Sequence, residues 1–248
     1  MVKKILIVVG TRPNFIKVTR FKKVAANSFP NLDIKIVHTG QHYDQKMSNI
    51  FFEQFNLVPD FFLKIRNESP LIQMADILVE MEKLIKTTFQ PDLMIVPGDV
   101  NSTLAASIVA NKLSIPLAHL ESGLRSFDYE MPEEWNRILT DEMADHYFVT
   151  EQSGLDALDK EEKRGKVHFV GNTMIDTMVE FDEQIRSSEI MNSLGVENEK
   201  FVLMTIHRPS NVDHKAGLEK LLELLNYRKE DYKVVFPIHQ RTRSKIES

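Results

Sequence analysis

Apolar residues fall along this chain in two alternating patterns. Compact runs of aliphatic and β-branched residues occur at Lys4–Val9, Ile34–His38, Leu93–Val96, Pro116–Leu120, His146–Thr150 and Val167–Val170. Such continuous runs read as strands buried on both faces. Between them, apolar positions recur at three- and four-residue spacing, the mark of amphipathic helices. One predicted helix starts at Pro13, with Phe15, Ile16, Val18, Phe21, Val24 and Ala25 on one side. Others are predicted over 44–55, 71–89, 102–113, 133–144 and 151–161, and 56–70 reads as a loop with a short extended piece. Regular alternation of strand and helix means βαβ units and a parallel sheet.

The series closes at Gly171–Asp176. A charged helix to about Ser188 and a polar connection follow, then a fresh strand at 201–206, a helix over 215–228 and a strand at 234–238. The expected class is therefore α/β. Residues 1–172 read as a Rossmann-like parallel-sheet domain, and 173–248 as the start of a second one. Two strands and a helix or two would leave an apolar sheet face and an edge uncovered.

Composition narrows the chemistry. With 248 residues the chain can bury a sizeable core. It has no cysteine, which excludes disulfides and thiolate catalysis and fits a reducing compartment. A formal net charge of -5 argues against a nucleic-acid partner, which shows as a basic excess. The first apolar run is only about five residues, short of a signal-peptide core. No run approaches the roughly 18 residues of a membrane span. The expectation is a cytoplasmic protein with no membrane partner.

Candidate reactive groups concentrate between Gly98 and Arg137. In open parallel sheets, ligands bind beyond the carboxyl ends of the strands. Asp99 follows one strand, although it could simply cap the next helix. Glu121 directly follows another, where partial desolvation suits a general acid or base. Its plain alternative is a cap or an ion pair with Arg125. Glu133 and Glu134 open a helix after Pro132, where acids favour the helix dipole whatever their function. Residue physics does not choose between them, and Arg137 lies one turn from both, so a helix-surface pair is the alternative. The turn Gly10-Thr11-Arg12-Pro13 offers free N–H groups and a guanidinium fork, which suit a phosphate, with a simple βα turn and an exposed arginine as the alternative. Only one glycine stands there, so the dinucleotide fingerprint and the P-loop are both absent. Lys17 lies one turn on, balanced between a solvated and a functional role. His119, inside an apolar strand, reads as a hydrogen-bonded core histidine. Gln41 and His42 follow a strand end, as do His207 with Arg208 and His239 with Arg241. The histidines never pair at metal-ligand spacing, so no metal site is expected.

The segments VGTRPNFIKV, TGQHYDQKMS, PGDVNSTLAA, AHLESGLRSFDYEMPEEWNR, FVGNTMIDT and TIHRPSNVD stand in this order along the chain. Together they resemble the non-hydrolysing bacterial UDP-N-acetylglucosamine 2-epimerase family, with 119–137 the most specific part. The resemblance implies a GT-B-type two-domain fold with the site between two Rossmann-like halves, the second incomplete here. It implies interconversion of UDP-GlcNAc and UDP-ManNAc by elimination and re-addition of UDP through a glycal, with neither NAD nor metal, in a homodimer. Carried over residue by residue, it gives catalytic roles to Asp99, Glu121, Glu133 and His207. Arg12, Lys17 and Arg137 take basic positions near the diphosphate and sugar, and His239 and Arg241 a loop close to the nucleotide. Gln41, His42 and Arg208 belong to the same substrate-binding motifs. Two motifs depart from the common pattern, GTRPE reading GTRPN with Asn14, and HRxEN reading His207-Arg208-Pro209-Ser210-Asn211. The family's Ser-Gly-Gly loop, which holds the UDP phosphates and ribose, is not found, so the chain alone is expected to be inactive or nearly so. Alternatives are a GT-B glycosyltransferase using a nucleotide-sugar donor and a non-catalytic assembly module.

Overall fold

The computed structural model describes residues 2–40, 52–55, 57–66, 68–206, 215–227, 232–238 and 242–243. Most of the helix expected over 44–55 lies outside these, as do Gln41, His42, His207, Arg208, His239 and Arg241. The chain divides into two compact units, 1–181 and 182–248.

The first unit contains strands β1 (Lys3–Val9), β2 (Leu32–His38), β3 (Phe61–Phe62), β4 (Leu93–Pro97), β5 (Leu117–Leu120), β6 (His146–Val149) and β7 (Lys166–Phe169). Its helices include α1 (Arg12–Val18), α2 (Phe21–Ser28), α3 (Pro70–Thr87), α4 (Asn101–Lys112), α5 (Pro132–Met143), α6 (Gln152–Lys160) and α7 (Thr173–Glu180). The strands form one parallel sheet in the order β3-β2-β1-β4-β5-β6-β7. Strand order reverses between β1 and β4, which makes their carboxyl ends the topological switch point where a ligand crevice opens.

Alternate residues of the central strands feed two cores. Leu6, Val8, Met94 and Val96 pack with Ile77 and Met81 of α3 and Ala105 and Val109 of α4. Ile7, Val9, Ile95, Ala118 and Leu120 pack with Phe15 and Val18 of α1, and with Phe52 and Leu57. This two-residue period explains why the strands read as unbroken apolar runs: both faces are covered.

The helix expected from Pro13 onward is two helices, broken at Thr19 and Arg20. The Thr19 hydroxyl donates to the carbonyls of Phe15 (2.9 Å) and Ile16 (3.1 Å), and the Thr177 hydroxyl donates to Ile16 at 2.6 Å. Side-chain hydroxyls thus engage carbonyls near the end of α1, a competition that bends helices. The Thr177 bond also ties α7 to the first unit, so the division falls after Phe181 and not after residue 172.

The second unit pairs β8 (Phe201–Leu203) with β9 (Lys233–Val235) in parallel. It also contains α8 (Asp182–Arg186), α9 (Ile190–Ser193) and α10 (Lys215–Asn226). Phe201, Val202, Leu203 and Val234 remain exposed, the uncovered apolar sheet expected from two strands. No described helix is long and apolar enough to cross a membrane.

His38 ends β2 inside an aromatic cage, stacked on Phe15 (centroids 5.4 Å) and Phe62 (5.9 Å) and edge-on to Phe52. Its Nδ1 accepts the N–H of Gly40 at 2.9 Å. Burial lowers its pKa from 6.5 to about 4. The unfolded chain therefore takes up this proton first, and stability is full above pH 6.5 and lost as pH falls toward 4. The loss is on the order of 3 kcal/mol. Urea midpoints measured at both ends of this window are expected to converge in His38→Gln relative to the parent. An equally steep loss in the variant would rule out His38 as the cause.

Candidate active site

Three successive carbonyls, at the end of β4 and just beyond it, are captured by side chains from different elements. Pro97 O accepts from Asn14 Nδ2 (3.2 Å) and Thr103 Oγ1 (2.8 Å). Gly98 O meets His119 Nε2 at 2.8 Å, and Asp99 O accepts from Asn136 Nδ2 at 2.8 Å. The Gly98 N–H donates to Leu120 O at 2.9 Å, which ties the ends of β4 and β5. Gly98 has φ +68°, and a Cβ there would stand 3.1 Å from Lys17 Nζ and 3.6 Å from Glu121 Oε2. Only glycine gives this backbone both its left-handed turn and its close approach to those charges.

Two ion pairs lie close to Gly98. Lys17 pairs with Glu121, their side chains 11% and 16% exposed. Arg137 pairs with Asp99 and also meets Glu134 at 3.3 Å. Glu121 itself adopts φ +71°, a costly conformation for a residue with a Cβ. Its N–H and that of Ser122 both donate to Phe148 O, at 3.0 and 3.4 Å. At Gly123 a Cβ would overlap Gly154 O, so this loop seats directly on α6.

Helix α5 is inverted relative to an ordinary surface helix. It buries Glu134, Asn136, Thr140 and Asp141, while Trp135 is 50% exposed. Glu134 accepts from the N–H groups of Ser126 (3.0 and 3.1 Å) and Phe127 (3.0 Å) and from the Ser126 hydroxyl (2.9 Å). Burial alone would raise its pKa, but these donors and Arg137 hold it below the usual carboxylate range. Glu134 is thereby consumed as a loop clamp. Glu133 is exposed on the first turn, and its side chain makes no hydrogen bond or ion pair among the described residues. Asp141 Oδ1 meets His119 Nδ1 at 2.6 Å, and its Oδ2 receives Arg125 Nη1 at 2.7 Å and the Gly123 N–H at 3.1 Å. Burial pushes the Asp141 pKa up, but His119 and Arg125 outweigh it and hold the group ionised.

An apolar groove of about 440 Å³ lies alongside, lined by residues such as Phe21, Val24, Leu93 and Phe148. Its lining is mostly apolar, with Lys17, Arg20, Thr173 and Asp176 as its polar members, so the paired acids Asp99 and Glu121 stand at the strand ends and not in this groove.

Comparison with known proteins gives this geometry a family. The model of the family described as UDP-N-acetylglucosamine 2-epimerase matches residues 24–248. A UDP-N-acetylglucosamine 2-epimerase of Methanocaldococcus jannaschii is 38% identical over 98% of this chain and 68% of its own length. The chain belongs to the UDP-N-acetylglucosamine 2-epimerase family. A UDP-2,3-diacetamido-2,3-dideoxy-D-glucuronate 2-epimerase of Pseudomonas aeruginosa is 40% identical over 98% of this chain and 69% of that one. The crystal structure of the M. jannaschii epimerase in complex with UDP-GlcNAc and UDP superposes with a TM-score of 0.87 at 35% identity, covering 98% of this chain and 68% of that chain. The chain thus spans about two thirds of the length of these relatives.

Within the epimerase family pattern, the structure brings Lys17, Asp99, Glu121 and Arg137 together around Gly98. Arg12 begins α1 and is exposed, and Glu133 stands apart from the two pairs. Glu121 does not pair with Arg125, which instead forks onto Glu161 (2.8 and 2.7 Å) and reaches Asp141. Asp99 does not cap α4, whose N-cap is Val100. Arg137 reaches across to Asp99 and also makes the expected one-turn pair along the helix, with Glu134 and not with Glu133. His119 is the hydrogen-bonded core histidine expected of it. Asn14, a departure from the common family motif, accepts from the N–H groups of Gly10 (3.2 Å) and Thr11 (3.3 Å) while donating to Pro97. A carboxylate at that position would lack the N–H that Pro97 O receives. Asn136 and Asp141 went unnoticed in the sequence. The signal for Asp141 was a polar stripe at 134, 137 and 141 opposite Trp135 and Leu139, legible only once the helix is known to face inward.

A double-mutant cycle on Lys17→Met and Glu121→Gln, read by chemical denaturation, is expected to give a coupling energy of about 1 kcal/mol or more. Additive single-mutant effects would show that the two side chains do not act as a pair.

Proposed function

We propose that this chain carries the C2 epimerisation chemistry of a UDP-activated N-acetylhexosamine. The observation that carries this reading is the pair of cation-matched acids, Lys17 with Glu121 against Gly98 and Arg137 with the adjacent Asp99, at the switch point. Inverting C2 requires a proton to leave one face and another to arrive at the opposite face, which calls for more than one acid–base group. One carboxylate takes the C2 proton while the C1–O bond to UDP breaks and its electron pair leaves with the diphosphate. The resulting glycal then regains UDP at C1 and a proton at C2 from the other side. The departing diphosphate needs fixed cations, which Lys17, Arg137 and Arg12 supply. As the diphosphate binds, it competes for Lys17 and Arg137, and so releases Glu121 and Asp99 from their partners to act as bases. Glu133, His207, Arg208, Gln41, His42, His239 and Arg241 are assigned to the site by the family pattern.

A second substrate is favoured by one observation: the P. aeruginosa relative at 40% identity is named for a 2,3-diacetamido-glucuronate sugar. The reaction at C2 is the same for both sugars.

Each UDP-sugar is to be incubated in D2O and followed by proton NMR at C2. The 248-residue chain alone, spanning 68% of the M. jannaschii relative, is expected to show little or no exchange. Fused to the final third of that relative, it is expected to replace the C2 proton with deuterium on one of the two sugars. A folded fusion that leaves C2 untouched on both, or that transfers the sugar without C2 exchange, overturns the reading in favour of a glycosyltransferase.

A further inference from the structure

Asp141 occupies an unusual position for a residue outside the acid set. One of its carboxylate oxygens meets His119 Nδ1 at 2.6 Å, and through that ring reaches the Gly98 carbonyl, 2.8 Å from Nε2. Its other oxygen holds the Gly123 N–H directly, at 3.1 Å. A single carboxylate therefore grips both strand-end loops, the one carrying Asp99 and the one carrying Glu121. Arg125 Nη1 binds the same oxygen as Gly123 and is itself forked onto Glu161, which also meets Lys163 at 3.2 Å. Asp141 and His119 are both fully buried.

Hydrogen-bond chemistry specifies the protons in this chain of contacts. A carbonyl only accepts, so His119 Nε2 carries a hydrogen toward Gly98 O. The Asp141 carboxylate, faced by Arg125 and the Gly123 N–H, also only accepts, so Nδ1 carries a hydrogen as well. We infer that Asp141 is the positioning residue of this site, holding His119 as a doubly donating imidazolium that clamps Gly98 while the same carboxylate clamps Gly123. Asp141 touches no substrate in this scheme. It acts through His119 and the two backbones, and its importance to catalysis rests on the epimerase reading of Asp99 and Glu121. The anchor itself does not.

The test uses the 248-residue chain and needs no substrate, so its outcome is separate from that of the exchange experiment. In the parent, nitrogen NMR is expected to show both ring nitrogens of His119 protonated. In Asp141→Asn the carboxamide oxygen stays with Arg125 and Gly123, and its NH2 turns to His119 Nδ1, which must then accept. The ring is expected to become neutral with Nε2–H retained, in a protein that stays folded. A purely space-filling role for Asp141 predicts no such change of ring state. In Asp141→Ala, amide exchange near Gly98 and at Gly123 is expected to accelerate about tenfold or more relative to Ile7 in β1. A neutral ring in the parent, a doubly protonated ring in Asp141→Asn, or acceleration in Asp141→Ala that is absent or equal at Ile7 would each overturn the inference. Should Asp141→Ala fail to fold, the ring state in Asp141→Asn decides alone.

Discussion

The buried polar face of helix α5 is the constraint on which the rest of the site depends. Four polar residues, Glu134, Asn136, Thr140 and Asp141, are turned inward on one short helix. An unmatched buried carboxylate is costly enough to threaten folding. Here the charges are matched by loops and strand ends: Ser126 and Phe127 for Glu134, and His119, Arg125 and Gly123 for Asp141. The dependence runs both ways, because the strand-end carbonyls of Gly98 and Asp99 obtain their donors from His119 and Asn136. Neither the helix nor the strand ends can rearrange alone without leaving buried polar groups unpaired.

Strain collects at the same place. Gly98, Glu121 and Gly123 all have positive φ, at +68°, +71° and +79°. For the glycines this conformation is nearly free, but for Glu121 it costs on the order of 1 kcal/mol or more. The surrounding bonds to Phe148 O and Lys17 hold it there. A backbone held this way presents the Glu121 carboxylate beside Gly98, where an extended continuation of β5 would carry it past.

Much of the first unit was legible in the sequence, and the reason is physical. Each central strand is buried on both faces, so Lys4–Val9 and Leu93–Val96 stand out as apolar runs whatever their neighbours. The break in the first helix was not legible, because it depends on Thr177 reaching Ile16 from far along the chain. Acids at strand ends were equally plain, since a charge directly after a core strand is conspicuous. Their partners were not. Lys17 and Glu121 are 104 positions apart, and no local pattern joins them. Residue physics alone left Glu133 and Glu134 unresolved, and the fold separates them by turning one inward and leaving the other exposed.

Parallel topology also governs when the site can exist. Ile5 of β1 pairs with Ile34 of β2 on one side and with Leu93 of β4 on the other. The second pairing closes a long loop, whose entropic cost must be met before the contact is rewarded, and folds built this way form slowly. The turns after Val9 and Pro97 come together only in that non-local step, and α5 must dock before Gly98 and Gly123 are held. During synthesis, then, the ribosome must deliver the chain through Phe148 before the whole of this constellation can be held in its shape. An early intermediate with β1 and β2 paired would have secondary structure and no site.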